Sequence, residues 1–264
     1  IILIFFLLFV NNFEIDIFER KAELGSGMPY SSEGANDEHI TNVSDNEVPG
    51  IVTTMSEWIY TAPAELLQRF NITPDNFNEY KVVPRLLFGH YLSAQFEILR
   101  KAGEKAGINT RIHFESTVTD VRYDLENDRV WVETLTGNAQ EFDYSVICTG
   151  HNWPIRYEGK VPGYYDAPYP PQKLLLKINH PVAIKGSSLT AIDAIRTLAR
   201  HNGSFEKGAD GILKFQLNPD SSEFKIMMHS RSGMLPAVRF HLESSHLSND
   251  SLLTREEIDA HRKN

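Results

Sequence analysis

The 264-residue chain opens on ten wholly apolar residues, IILIFFLLFV. The run is too short for a membrane-spanning helix, which needs about 20 such residues, and lacks the basic leader and small-residue cleavage site of a secretory signal. It predicts a fully buried strand. Residues Phe13 to Arg20 then alternate apolar Phe13, Ile15 and Ile17 with polar Glu14, Asp16 and Glu19, the period of a second strand. Only Asn11-Asn12 separates the two, whereas parallel neighbours need a crossover of about a dozen residues or more. Residues 24–54, rich in Gly, Ser, Asn, Asp and Pro, predict a long functional loop with little regular structure. Ser56 to Phe70 predicts one helix. A second begins at Pro84, places Leu87, Tyr91, Ala94 and Ile98 on one face, and ends at Gly103 or Gly107.

From Arg111 the period returns to two, with strands predicted at 111–115, 117–123, 129–135 and 141–148. Tight links at Asn127-Asp128 and Gly137-Asn138 make them an antiparallel meander. A Pro-rich stretch from Pro154 to Pro171 marks a change of domain. Beyond it, Pro181 to Lys185 reads as a short buried strand running into Gly186. The helix that follows sets Leu189, Ile192, Ile195 and Leu198 on one face and stops at Asn202-Gly203. Polar residues 204–222 read as an insertion, Phe224 to Met228 as a strand, and the tail from Thr254 as a terminal helix. The fold class is α/β, with one domain over 1–155 and a second, incomplete one over 172–264.

Composition narrows the function classes. The formal net charge is −9 and no cluster of Lys and Arg occurs, which excludes a surface for nucleic acid. One cysteine, Cys148, excludes an internal disulfide, a CxxC redox pair and a cysteine-built zinc site, and fits a reducing, cytoplasmic setting. Cys148 reads as a small buried residue. No helical HxxxH spacing occurs among the ten histidines, so His39, His90, His151, His180 and His241 read as loop or packing residues, with no metal site. Trp58, Trp131 and Trp153 read as core.

The sharpest local signal is VAIKGSSLTAIDAIRTLAR, residues 182–200. A dinucleotide pyrophosphate sits at a helix N-terminus because unpaired N–H groups and the helix dipole both favour an anion there. Gly186 takes the place of the first glycine of that fingerprint, Ser188 the second and Ala191 the third, giving GxSxxA. The same pattern also describes a tight strand-to-helix turn in any α/β protein. A serine-hydrolase elbow is disfavoured, since Thr190 stands where GxSxG needs glycine. The next strand runs into Ser230-Arg231-Ser232 with no acidic residue. That pattern fits an NADP site, with Arg231 on the 2′-phosphate, or a solvated loop arginine. Glu19, at the end of FEIDIFER, reads as a ribose-binding acid or as a solvated strand-end carboxylate.

FEIDIFERKAELGSGMPYS, PRLLFGHYL (84–92), STVTDV (116–121), FDYSVICTGHNWP (142–154) and the GSSLTAIDA turn occur in an order that resembles flavoproteins with two dinucleotide-binding folds. More narrowly, the chain is similar to bacterial FAD/NAD(P)-binding proteins related to flavin-dependent N-hydroxylating monooxygenases. The resemblance spans residues 13 to about 240 and implies a Rossmann-like three-layer fold with a β-meander, plus a partial second Rossmann-like domain. By position it implies that Glu19 binds the adenosine ribose of FAD, that Gly25, Gly27 and Met28 line the loop beside the flavin and its phosphates, and that Arg85 lies toward the cofactor or its phosphate chain. It places Val118 at adenine and Thr149 and Gly150 where the chain passes FAD. Gly186, Ser187, Ser188 and Ala191 would hold the nicotinamide cofactor, and Arg231 would make it NADP rather than NAD. The implied activity is reduction of FAD by NAD(P)H with electrons passed to oxygen or a small-molecule substrate, without membrane or nucleic-acid partners. The family's first glycine fingerprint and its closing FAD segment are absent, so the sequence reads as truncated at both ends. Two other readings stay open: a non-catalytic NADP(H)-binding module, and a non-functional fragment. Neither an acid, a base, a nucleophile nor an oligomeric state can be read from these residues.

Overall fold

A computed structural model describes residues 14–150, 153–235 and 254–262. The apolar strand expected over the first ten residues lies outside them. Strand β1 (Glu14–Phe18) pairs in parallel with β4 (Asn109–His113) in the register Glu14↔Asn109 to Phe18↔His113. Residues 111–115 thus do not belong to the meander: the strand starts two residues earlier and joins β1. Between them the chain forms β2 (Ile40–Ser44), α1 (Met55–Ile59), α2 (Ala64–Arg69), β3 (Val82–Pro84) and α3 (Arg85–Lys105). The stretch read as a long loop with little regular structure carries one short strand, β2, antiparallel to β3.

The single helix expected over Ser56–Phe70 is two. Thr54 caps α1 in a box with Glu57, its side chain accepting from the Glu57 N–H. Pro63, which has no N–H to give and biases the residue before it away from helix, ends that run and begins α2. Helix α3 buries Leu87, Phe88, Tyr91, Gln95 and Leu99, whereas Ile98 is 39% exposed. The seam follows 87, 91, 95 and 99, a spacing of four, so it drifts away from Ile98. Met55, Trp58, Ile59, Leu67, Phe70, Ile72 and Val83 close over α3 to make the first apolar core.

The meander is three-stranded: β5 (Val118–Asp124), β6 (Arg129–Thr134) and β7 (Ala139–Phe142), with a bulge between Val118 and Asp120. The strand expected to run to residue 148 stops at Phe142. Tyr144–Gly150 have no ladder partner among the described residues, and Tyr144, Val146 and Ile147 stand exposed. Cys148 is exposed with them, which corrects its reading as a buried residue. An apolar run is strand-like only if a neighbour offers hydrogen bonds.

In the second unit β8 (Pro181–Lys185) leads into α4 (Leu189–Asn202), and β11 (Lys225–His229) pairs with β8 in parallel, Lys225↔Pro181 to His229↔Lys185. The insertion between them is an antiparallel hairpin, β9 (Gly203–Lys207) and β10 (Leu213–Leu217), with Phe205 and Phe215 directly opposite at 5.1 Å. A short helix α5 (Arg255–Arg262) follows in the tail. Leu174, Ala194, Leu198 and Phe224 form the second core, flanked by Val182, Ile184 and Ile226. The face of α4 expected to be buried is rotated: Leu189 is 51% exposed, and Ala191, Asp193, Ala194, Thr197 and Leu198 are buried. The helix packs on two neighbours at once, its own core through Ala194 and Leu198 and the first unit through Asp193 and Thr197. Among the described residues no helix is long and apolar enough to cross a membrane.

Candidate functional site

The loop after β1 is built against α3. Glu19 is half-buried beside the end of β4: its N–H donates to the His113 carbonyl at 3.0 Å, and its carboxylate accepts the Lys21 N–H at 3.0 Å. Three residues back along β1, Asp16 bridges Arg111 and His113, and the hydrogen bond from Arg111 holds the Asp16 carboxyl below its ordinary value despite burial. Gly25 lies so close to α3 that a side chain there would sit 2.6 Å from the Ser93 Cα, and the Ser93 hydroxyl donates to the Leu24 carbonyl at 3.0 Å. Gly27 is exposed and leads into the turn Met28–Tyr30, with only Pro29 within 4 Å of where its side chain would be. That open backbone beside a helix fits the close approach of a cofactor. Val118 begins the meander, opposite Thr134, and Thr149 and Gly150 stand exposed.

The second loop follows β8. Gly186 holds φ at +125°, a conformation that favours glycine, and its N–H donates to the His229 carbonyl at 2.7 Å. A side chain built on Gly186 meets nothing within 4 Å, so the turn faces open space. Ser188 is the N-cap of α4 and makes no side-chain capping bond. Of the first-turn N–H groups of this 14-residue helix, that of Ala191 donates back to the Ser188 carbonyl at 2.9 Å, and those of Leu189 and Thr190 open the helix at this mouth, where an anion is favoured. Ser187 is half-buried, Ala191 is buried on the first turn, and Arg231 stands exposed two residues past β11, the strand whose end holds the Gly186 amide. Gly186, Ser187, Ser188 and Ala191 thus share one turn, with Arg231 two residues beyond the strand that flanks it, and Gly25, Gly27 and Met28 share another. The structure contains no group of His, Cys, Asp and Glu arranged for a metal among the described residues.

Arg85 joins neither loop. It opens α3 and turns to α4, where Nη1 pairs with Asp193 Oδ2 at 2.7 Å; the two side chains are 13% and 4% exposed. Tyr169 Oη donates to the same carboxylate oxygen at 2.5 Å, and Arg85 Nε donates to the Ile40 carbonyl at 3.0 Å. One turn along α4, Thr197 donates its hydroxyl to Glu38 Oε1 at 2.8 Å and lies 3.0 Å from His39 Nε2. The Asn36 N–H donates to His39 Nδ1 at 3.0 Å, so Nδ1 is an acceptor and the ring proton sits on Nε2, facing Thr197 Oγ1 and the Asp193 carbonyl. None of Asp193, Tyr169, Thr197 or Glu38 stands out in the sequence as a site residue. The available signal is polar residues four apart, Asp193 and Thr197, inside an otherwise apolar helical face.

Burial holds the His39 imidazole below its ordinary value of 6.5, outweighing the attraction of Asp193 and Glu38, while Arg85 opposes protonation. A depressed histidine is protonated in the unfolded chain first. The stabilisation it reports is therefore complete above pH 6.5 and is lost as pH falls below that value toward the folded one. Thermal unfolding between neutrality and about pH 5 is expected to show a fall in Tm that His39→Gln reduces; an unchanged slope contradicts this assignment.

The model of the FAD-NAD(P)-binding family matches residues 3–152, over half of the chain. The uncharacterised protein YdhS of Escherichia coli strain K12 is 30% identical over 247 residues, 92% of this chain and 46% of its own length, so the chain spans under half of that relative. A cyclohexanone monooxygenase variant from Rhodococcus sp. Phi1, solved with NADP+, is 16% identical over 70% of this chain and 31% of its own, with a TM-score of 0.40. An oxidised steroid monooxygenase bound to NADP is 15% identical over 70% and 32%, with a TM-score of 0.33. On the extent of the family match, carried by the segment that holds Glu19, the Gly25–Met28 loop, Val118, Thr149 and Gly150, the chain belongs to the FAD-NAD(P)-binding family.

Proposed function

We propose that the chain is the core of a flavin-dependent oxidoreductase that takes its reducing equivalents from NADPH and delivers them to oxygen or a small organic substrate, in the manner of a monooxygenase. The observation that carries the reading is the β8–Gly186–α4 turn, open to solvent and hydrogen-bonded to β11, within a chain of the FAD-NAD(P)-binding family. FAD, when bound, supplies the hydride-accepting ring; the protein's share is binding, orientation and exclusion of water. In this reading the Glu19 carboxylate takes the adenosine ribose, Gly25, Gly27 and Met28 admit the phosphates and flavin, Val118 offers its backbone to adenine, and Thr149 and Gly150 border the cofactor. Gly186, Ser187, Ser188 and Ala191 cradle the pyrophosphate of the nicotinamide nucleotide. No side chain is assigned as acid, base or nucleophile.

Arg231 supplies the preference for NADPH. The strand before it ends without a carboxylate, and an exposed guanidinium two residues past that strand offers the charge and paired donors that a 2′-phosphate takes. Arg231→Ala is expected to weaken NADPH binding about tenfold and to leave NADH binding unchanged, read by titration of both nucleotides. Equal loss for the two refutes the assignment. The function itself is tested by aerobic NADPH oxidation with FAD supplied: consumption of NADPH and oxygen that requires FAD supports it, and none above background defeats it.

A further inference from the structure

Each of the two loops is tied to one helix. The Gly25–Met28 loop packs on α3, through Gly25 at Ser93 and Tyr30 at Gly89, and the Gly186 turn opens α4. Helix α3 meets α4 through a buried ion pair: Arg85, the first residue of α3, pairs with Asp193, a little over one turn into α4. Tyr169, from the Pro154–Pro171 stretch, shares the same carboxylate oxygen. His39 joins through Thr197 and the Asp193 carbonyl, Glu38 through Thr197, and Arg196 Nη1 donates to the Glu38 carbonyl at 3.0 Å. An apolar contact tolerates sliding, because burial is non-directional, whereas a desolvated charge pair with matched donors is satisfied in one register only.

We propose that Arg85, Asp193, Tyr169, Thr197 and His39 form a latch that sets where the Gly186 turn stands relative to the Gly25–Met28 loop, making them positioning residues for transfer between the two nucleotides. The consequence for transfer rests on the flavoprotein reading; the latch as the determinant of the arrangement does not. Arg85 then serves the cofactors through α4 and touches neither.

The test uses the full chain with Asp193→Asn, Thr197→Val and the double variant Arg85→Met/Asp193→Leu, which removes both charges. Three quantities are read: the NADPH dissociation constant, the single-turnover rate of flavin reduction, and the arrangement of the two units by small-angle scattering and proteolysis of the connector 154–168. Asp193→Asn is expected to keep NADPH affinity within about threefold, to slow flavin reduction by about tenfold or more, and to raise connector cleavage and the radius of gyration. The double variant leaves no buried charge unpaired and is expected to regain stability, but to keep slow flavin reduction and raised connector cleavage, because an apolar pair no longer fixes the register; parental values of both in this variant overturn the latch. If Asp193→Asn fails to fold, Thr197→Val carries the same comparison, with a smaller effect in the same direction. Single variants as compact and protease-resistant as the parent overturn the latch, as does a rate loss that merely follows lost NADPH affinity. If the parent takes up neither flavin nor NADPH, the functional reading fails, and scattering and cleavage alone decide the latch.

Discussion

Gly89→Ala is expected to destabilise the chain by about 2–3 kcal/mol and to impair any binding that depends on the Gly25–Met28 loop. Gly89 lies inside α3, where alanine is ordinarily better than glycine by about 1 kcal/mol. Here a methyl group would sit 2.0 Å from the Tyr30 carbonyl oxygen and 3.2 Å from the Ser26 Cβ. The obstacle is backbone and cannot rotate away, so helix and loop must separate. Separation also loosens the Tyr30–Phe88 ring contact at 4.9 Å. The overpacking term exceeds the helix-propensity gain, and Tm is expected to fall by about 5–10 °C. Gly50→Ala is the matched control: nothing lies within 4 Å of its added methyl, and its effect is expected within about 0.5 kcal/mol. Equal Tm for the two variants refutes the close packing of loop on helix.

Asn202→Leu is expected to cost about 3–5 kcal/mol, although the two side chains have the same number and branching of heavy atoms. Asn202 is the last residue of α4, and its side chain is fully buried. Its Oδ1 accepts the Ile178 N–H at 2.6 Å and the Ser221 hydroxyl at 3.0 Å; its Nδ2 donates to the Leu176 carbonyl at 2.9 Å and the Leu198 carbonyl at 2.8 Å. All four of its hydrogen-bonding positions are thus used. Leucine strips those partners of their bonds in a dry site, each at about 1–3 kcal/mol before relaxation. The segment leading into β8 and the turn before β11 are both tied through this one amide, so loss of the second unit's cooperative unfolding is the expected readout by denaturant titration. A midpoint unchanged from the parent contradicts it.

What the sequence makes legible follows from which signals agree. Around Gly186, a short apolar run, a glycine and a helical period reinforce one another, and β8, the turn and α4 appear where the pattern puts them. Around residues 141–148 the apolar run alone suggests a strand, but strand state depends on a ladder partner elsewhere in the chain, and only residues to Phe142 find one. The meander's membership fails at 111–115 for a related reason: alternation marks a strand without saying whom it pairs with. The split at Pro63 is a local signal that a longer helical period obscures. The buried face of α4 is misjudged because hydrophobicity alone assigns faces, whereas Asp193 and Thr197 are buried by pairing with Arg85, Tyr169, His39 and Glu38. A polar contact between segments more than 100 residues apart leaves almost no trace in local pattern. Arg85 shows the limit most clearly: its place at the start of α3 is legible, its partner is not.

The central claim is that this chain holds FAD and reduces it with NADPH. The visible absorption spectrum of the purified chain, recorded with added FAD and again after NADPH without oxygen, tests it most directly. The account predicts a bound two-banded flavin spectrum that NADPH bleaches faster than NADH does. A chain that retains no flavin, or a bound flavin that NADPH leaves oxidised, contradicts it.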